Sequence, residues 1–290
     1  MKKSNLFFAS LVLMAFSCTS EKTEEVFNPQ KAPVTVSVND FLISQDEMTR
    51  ATAVADLASV KSLTLAFYDS DGNETYKHTQ LRDSPAEGET FGQFNCGLYK
   101  GTYTMVVIGS GSTTGITLTN STLATYGDAK VQDTFVATKN VTISDYNAKA
   151  FSAELDRIVT RVGLKSTDPR PANVPYVRMT FAAGSKSFNP QTGLTASNTG
   201  FSHIIDFTRD PGEVVNVASS LFLATDEQTM DITVETLDAN SNVLFSKTIE
   251  DVPLKRNCTT KLTGAIFTAG VVISSITVND TWGDTTTIPF

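Results

Sequence analysis

The sequence predicts an all-β protein made of two β-sandwich domains in tandem. Three observations carry that expectation. Short runs of Val, Ile, Leu and Phe alternate with Thr and Ser, the period of two that sets apolar side chains on one face of a half-buried strand. Clusters of Gly, Pro, Asn, Asp and Ser interrupt these runs at the short spacing of sandwich turns. The chain of 290 residues, 40% hydrophobic and 19% charged, is globular in composition and long enough for two cores at roughly 100 to 200 residues each. Its formal net charge of -8 gives a self-repelling surface without the basic footprint that a phosphate backbone requires, so no nucleic-acid partner is expected.

Residues 1–18 read as an export signal: Lys2 and Lys3 precede an apolar stretch, Leu6 to Phe16, too short to span a membrane as a mature helix. The segment closes on Ala15-Phe16-Ser17-Cys18, a small residue before a cysteine, as at a bacterial lipoprotein cleavage site. Cys18 is therefore the candidate lipidation site, with a plain signal-peptide cysteine as the alternative. Residues 19–31 carry Glu21, Glu24 and Glu25 without a periodic apolar face and read as a polar tether. Export permits disulfides, but Cys96 and Cys258 fall in different halves, so separate packed thiols are expected.

The first domain is assigned to residues 32–150. Val34, Val36 and Val38 alternate with Thr35, Ser37 and Asn39, a first strand expected at a sheet edge. The polar run Gln45 to Thr49 then leads to Arg50-Ala51, where a trypsin-like protease could cut an exposed loop. Val60–Tyr68 and Glu74–Thr79 flank Asp69-Ser70-Asp71-Gly72-Asn73, a hairpin with Gly where positive φ is needed. The same acidic spacing suits the start of a calcium loop, but Gln80 stands where the closing Glu belongs, so the turn is preferred. Phe91–Leu98, Thr102–Ile108 and Val141–Ile143 add strands, and the glycine-rich 109–115 loop lacks the Lys of a phosphate cradle.

The second domain, residues 151–290, opens with Phe151–Lys165. Its apolar parity changes near Asp156-Arg157, where a β-bulge is expected. Arg157 and Arg161 are expected as structural charges. Val177–Ala182, Phe201–Phe207, Val214–Leu223, Met230–Leu237 and Val243–Ile249 continue the rhythm, the last two joined by a turn at 238–242. Pro253 should end one strand and Gly264 should mark a close approach or bulge in another. In the tail, Val271 and Ile273 keep one parity and Ile276 and Val278 the other, so a bend is expected at Ser274-Ser275.

No catalytic, cofactor-binding or metal-ligating residue is assigned. The 2 His, His78 and His203, lack zinc-type spacing, and no GxSxG elbow is present. Cys96 with a distant His reads as a packed thiol rather than a nucleophile pair.

The segment Glu250 to Thr268 is more specific. Val252, Pro253, Leu254, Lys255, Arg256, Asn257, Thr260, Leu262, Gly264 and Phe267 form a pattern that resembles the late-strand motif of the fimbrillin family of Bacteroidales type V pili. Leu155–Leu164 resembles that family's Arg-containing strand, and Thr49-Arg50-Ala51 its arginine-specific maturation site. The resemblance implies two transthyretin-like β-sandwich domains, delivery to the outer membrane through the lipid on Cys18, proteolysis between Arg50 and Ala51 that removes the first strand, and assembly by strand exchange. It implies copies of the chain or other fimbrial subunits as partners, with a host or bacterial surface ligand for adhesion. The alternative is a monomeric surface lipoprotein that binds glycan through exposed aromatics such as Tyr99 and Trp282.

Overall fold

Alternation becomes strand wherever the chain finds a pairing partner. The computed structural model describes residues 30–42, 51–53, 58–114, 116–207, 211–267 and 272–279, and among them strands and turns account for the fold, with no helix. In chain order the first half holds β1 (Ala32–Leu42), β2 (Ala51–Ala53), β3 (Ser62–Tyr68), β4 (Glu74–Leu81), β5 (Gln93–Leu98), β6 (Gly101–Ser110), β7 (Thr117–Asn120), β8 (Leu123–Thr125), β9 (Thr134–Ile143) and β10 (Lys149–Arg157). The second half holds β11 (Thr160–Pro169), β12 (Tyr176–Phe181), β13 (Ser187–Phe188), β14 (Phe201–Asp206), β15 (Val214–Leu221), β16 (Glu227–Leu237), β17 (Val243–Lys255), β18 (Thr259–Ala265) and β19 (Val272–Asn279).

The first sandwich is one sheet folded on itself. Its order is β2-β1-β10-β9-β6-β3-β4, with β5 also on β1. β10 meets β9 over two residue pairs only, Asp156–Val136 and Arg157–Phe135, and the sheet turns over at that short contact. Val34, Val36, Val38 and Phe41 of β1 then face Leu63, Leu65 and Phe67 of β3 and Met105 and Val107 of β6 in a single core. β1 is not the edge strand its alternation suggested. It runs parallel to β10 on one side and is covered on the other by β5 and β2, so its apolar face is buried and its ladder is occupied along both edges. Alternation alone reports one buried face and cannot report how many neighbours complete the ladder.

The second sandwich is made of two four-stranded sheets, β15-β11-β18-β19 and β14-β12-β16-β17, around a core that includes Val162, Leu164, Met179, Ile232, Val234 and Leu262. The all-β architecture of two sandwiches in tandem is therefore present. Three local expectations change. The parity switch at Asp156-Arg157 is a passage from one sheet to the other: β10 ends in the first sandwich and β11 begins in the second after Ile158-Val159. Pro253 lies inside β17, opposite Thr229; β17 is an edge strand, where the missing N–H faces no neighbour. Ser274-Ser275 is a β-bulge within β19, since Gly264 pairs with Ile273 and Thr263 with Ser275. The close approach expected at Gly264 is there: a Cβ would meet the Val272 carbonyl oxygen at 1.9 Å.

A third core joins the halves. Ala66, Tyr68, Val106 and Ile108 point away from the first core and pack with Tyr126, Ile158, Val159, Phe188 and Phe222. This explains why β3 and β6 read as nearly continuous apolar runs, the mark of strands covered on both faces. A small sheet, β13-β8-β7, crosses the junction, with Ser187 and Phe188 of the second half paired to Thr125 and Ala124 of the first. Residues from Lys31 onward consequently form one compact unit.

Candidate functional site

Cys18, Arg50 and Trp282 lie outside the described residues. Ala51 opens β2, its backbone opposite Leu42 of β1. Tyr99 is 44% exposed, with the Lys31 ammonium 5.0 Å from its ring centroid. Cys96 and Cys258 are separate thiols, not a disulfide. Burial pushes the Cys96 thiol up to about 11, the wrong direction for a nucleophile, and His78 is engaged with Glu89. The Asp69 carboxylate is used by its own turn: Oδ1 accepts the Asp71 and Asn73 N–H groups at 3.0 and 2.8 Å, and Oδ2 accepts from Asn73 Nδ2 at 3.1 Å. Asp238 repeats this scheme with Asn240 and Asn242, and Ser241 (φ 65°) takes the position of Gly72 (φ 82°). Both acids are held below their ordinary range by these hydrogen bonds, and no group of three or more metal-ligating side chains forms among the described residues.

The motif around Val252–Phe267 is scaffold at the junction. Val252, Leu254 and Leu262 are core, and the Thr260 hydroxyl donates to the Pro253 carbonyl at 2.7 Å. Asn257 adopts φ 59°, donates its backbone N–H to the Val159 carbonyl and accepts from Arg157 Nη1 at 3.3 Å. Arg157 forks onto Asp133, Nε to Oδ1 at 2.7 Å and Nη2 to Oδ2 at 2.9 Å, over the Phe135 ring. Burial drives the Asp133 carboxyl upward, with Arg157 and Arg161 pulling against it. The pair pins the end of β10 to the loop before β9 and, through Asn257, to the second half. Arg157 is thus the structural charge that the sequence predicts.

Arg161, which also acts on the Asp133 carboxyl, lines a cleft of about 470 Å³ between the halves, with the 128–133 loop of the first half on one side and β14 and β15 of the second on the other. Lys130 and Lys186 also line it, as do Phe201, Ser202 and Ser220. β14 and β15 are edge strands of opposite sheets, bridged by His203 Nδ1 and Ser219 Oγ at 2.9 Å. Burial, reinforced by Lys130 and Lys186, lowers the His203 ring to about 4, so it is neutral at pH 7. Sequence reading missed this cleft because its lining comes from five separate segments, none of which carries a motif.

The second functional element is β1 itself. Val34, Val36, Val38 and Phe41 are at most 2% exposed, in a strand that begins the described chain and ends just before the segment containing Arg50. At the other end β19 occupies a sheet edge, with Val272, Ile276 and Val278 exposed at 52%, 37% and 38%.

Comparison with known proteins agrees with this architecture. Solved structures of similar fold include the fimbrial anchor protein Mfa2 from Porphyromonas gingivalis (13% identity, 86% of this chain and 98% of that one, TM-score 0.51). A candidate adhesin from Bacteroides ovatus (14%, 75% of each chain, 0.50) and a candidate polysaccharide-binding protein from Bacteroides thetaiotaomicron (11%, 86% and 96%, 0.51) are also similar. At such identities the likeness is one of fold, shared with a fimbrial anchor protein and a candidate adhesin, in keeping with the resemblance read around Val252–Phe267. No curated protein matches the sequence. The model of one family, described as a family of unknown function (DUF6562), matches residues 24–288, and the chain belongs to that family.

Proposed function

We propose that the chain is an adhesion-related surface protein and, more narrowly, a structural subunit of a type V fimbria. In this reading it is exported as a lipoprotein on Cys18, cut between Arg50 and Ala51, and joined to copies of itself or to other fimbrial subunits by strand exchange. It is organised as two sandwich domains, with the boundary that the sequence suggested at 150/151 moved to the end of β10 at Arg157, and acts through contacts rather than catalysis. A host or bacterial surface component would be the adhesion ligand.

The observation that carries the reading is the placement of β1. The strand lies between β10 and β5 and contributes the apolar face of the first core. Its removal would open a groove with unpaired backbone on both sides and vacant side-chain positions at period two, which is what an incoming strand can fill. The tail from Ala269 onward is the proposed donor. In the single chain β19 pairs at home on β18, so donation requires it to leave that edge.

The test is mass spectrometry and N-terminal sequencing of surface protein, combined with immunogold microscopy. Labelled fibres made of chains that begin at Ala51 are the expected result, and Arg50→Ala should block their growth. Truncation after Ala269 should stop polymerisation, and continued polymerisation of truncated chains would remove the donor assignment. Surface chains that all begin at Cys18 would indicate an anchor role. Reversible sugar binding without fibres would favour the monomeric glycan-binding lipoprotein.

A further inference from the structure

Six of the ten large hydrophobic side chains exposed among the described residues lie on two strands, Val243, Leu244 and Phe245 on β17 and Val272, Ile276 and Val278 on β19. β17 and β19 are the adjoining edges of the two sheets of the second sandwich. Residues directly opposite one another in a ladder point to the same face. Ile276 stands opposite Leu262, Val278 opposite Thr260 and Phe245 opposite Thr236, and these three partners are 0% exposed. Phe245, Ile276 and Val278 therefore point toward the interior, yet they are 40%, 37% and 38% exposed. Among the described residues the sandwich is open along this side.

Near the ends of β17 and β19 the opening deepens into a hollow of about 340 Å³ lined by Pro253, Leu254 and Val278 together with Glu227, Gln228 and Thr229 of β16. The Glu227 carboxylate lies 3.1 Å from Lys255 Nζ and is largely exposed. The chain runs on past β19 through residues 280–290, and Trp282, its single Trp, is four positions beyond Val278. Four residues span at most about 14 Å when fully extended, so the indole cannot leave the neighbourhood of a hollow that Val278 itself lines. A tether so short holds its group at an effective concentration in the millimolar range. Ile288 and Phe290 share the parity of Trp282, which gives the segment the pattern of one apolar face.

We propose that residues 280–290 cover the open side of the second sandwich of their own chain, with Trp282 seated in the hollow against Pro253, Leu254 and Val278. The indole N–H, which needs an acceptor when the ring is buried, is donated to the Glu227 carboxylate. The seat secures β19 on β18, since the strand cannot leave its edge without withdrawing the indole. The contact belongs to a single chain and does not use β1. Only its consequence for the donor strand rests on the fimbrial reading: a tail that is to be donated is held at home until the seat is vacated.

The experiment uses the chain from Thr19 onward, uncut because it carries Arg50→Ala, with tryptophan fluorescence reporting on Trp282 alone. Expected are an emission maximum to the blue of N-acetyltryptophanamide and acrylamide quenching severalfold weaker, both unchanged on dilution. Val278→Glu places a charge at the hollow and should restore the emission and quenching of the free amide. Val272→Glu, at the other end of the same exposed strand, should change neither, and urea unfolding checks that both variants keep the fold. Trp282→Ala should raise amide exchange at Ile276–Val278 at least about tenfold while β11 and β15 keep their protection. Free-amide emission and quenching in the chain with Trp282 and Val278 intact would overturn the seat. So would shielding that survives Val278→Glu, which would put the indole elsewhere, and shielding lost on dilution, which would assign the hollow to the tail of a second copy. Fibre growth is not read, so failure of the seat leaves the fimbrial reading standing, and failure of strand exchange leaves the seat standing.

Discussion

If β1 is a structural member that can be exchanged but not simply lost, severing its connection to the rest of the chain should leave it in place. The perturbation is a specific protease site introduced between Gln45 and Arg50, followed by cleavage in native buffer. Val34, Val36, Val38 and Phe41 are 2%, 0%, 1% and 0% exposed. At about 1.5 to 3 kcal/mol for each fully buried side chain, releasing the four costs roughly 6 to 12 kcal/mol, an upper estimate because an unfolded chain already hides some of that surface. The whole stability of a typical domain is about 5 to 15 kcal/mol. Loss of β1 and collapse of the first sandwich are thus nearly the same event, more so because the register pairs eight residues of β1 with β10, six with β5 and three with β2. The nicked protein should co-elute with the N-terminal fragment that carries β1 in size exclusion and release it only at the urea concentration where the sandwich unfolds. Val36→Asp, which places a carboxylate in the core, should release the peptide at once after nicking. Release of the wild-type peptide in plain buffer, with the remainder melting cooperatively at an unchanged temperature, would refute the reasoning.

Other expectations rest on the junction and the tail. Arg157→Leu leaves the buried Asp133 carboxylate without its fork (side chains 4% and 13% exposed) and should cost about 3 to 5 kcal/mol in a urea titration, whereas Arg157→Leu with Asp133→Leu should recover most of it. Gly264→Ala forces a methyl group against the backbone of β19. It should destabilise by about 1 to 3 kcal/mol, and amide exchange at Val272–Asn279 should lose its protection before the rest of the fold. His203 sets a pH dependence. Its folded pKa, about 4, lies below the ordinary 6.5, so the unfolded chain takes up the proton first as pH falls. Stability should therefore be full above 6.5 and decline between 6.5 and 4. The ring is partly exposed, and screening reduces the loss to about 1 to 2 kcal/mol. His203→Gln should flatten that part of the melting-temperature profile, and an unchanged profile would count against the assignment.

The fold class was legible because the signal that carries it is local. Period-two alternation and turn residues depend on a few neighbouring positions, so Val60–Tyr68 and Met230–Leu237 appear almost where the sequence places them. So does the Asp69 turn, whose carboxylate bonds within its own five residues. The cleft was not legible, since Lys130, Arg161 and Lys186 converge only when two sandwiches meet, and no spacing along the chain encodes that meeting.

By itself the sequence determined which faces of the strands are apolar and where the pattern slips. Only tertiary structure decided what those slips mean. The slips at Asp156-Arg157 and at Ser274-Ser275 look alike in sequence, yet one is a change of sheet and the other a bulge within a strand. Likewise Val34 to Val38 announce one buried face, while the two-sided pairing of β1 depends on Lys149–Asp156 and Gln93–Leu98, distant in the chain. Side-chain parity is set by the pleat of a single strand, but the ladder belongs to pairs of strands, and the partner is chosen by how the whole core closes.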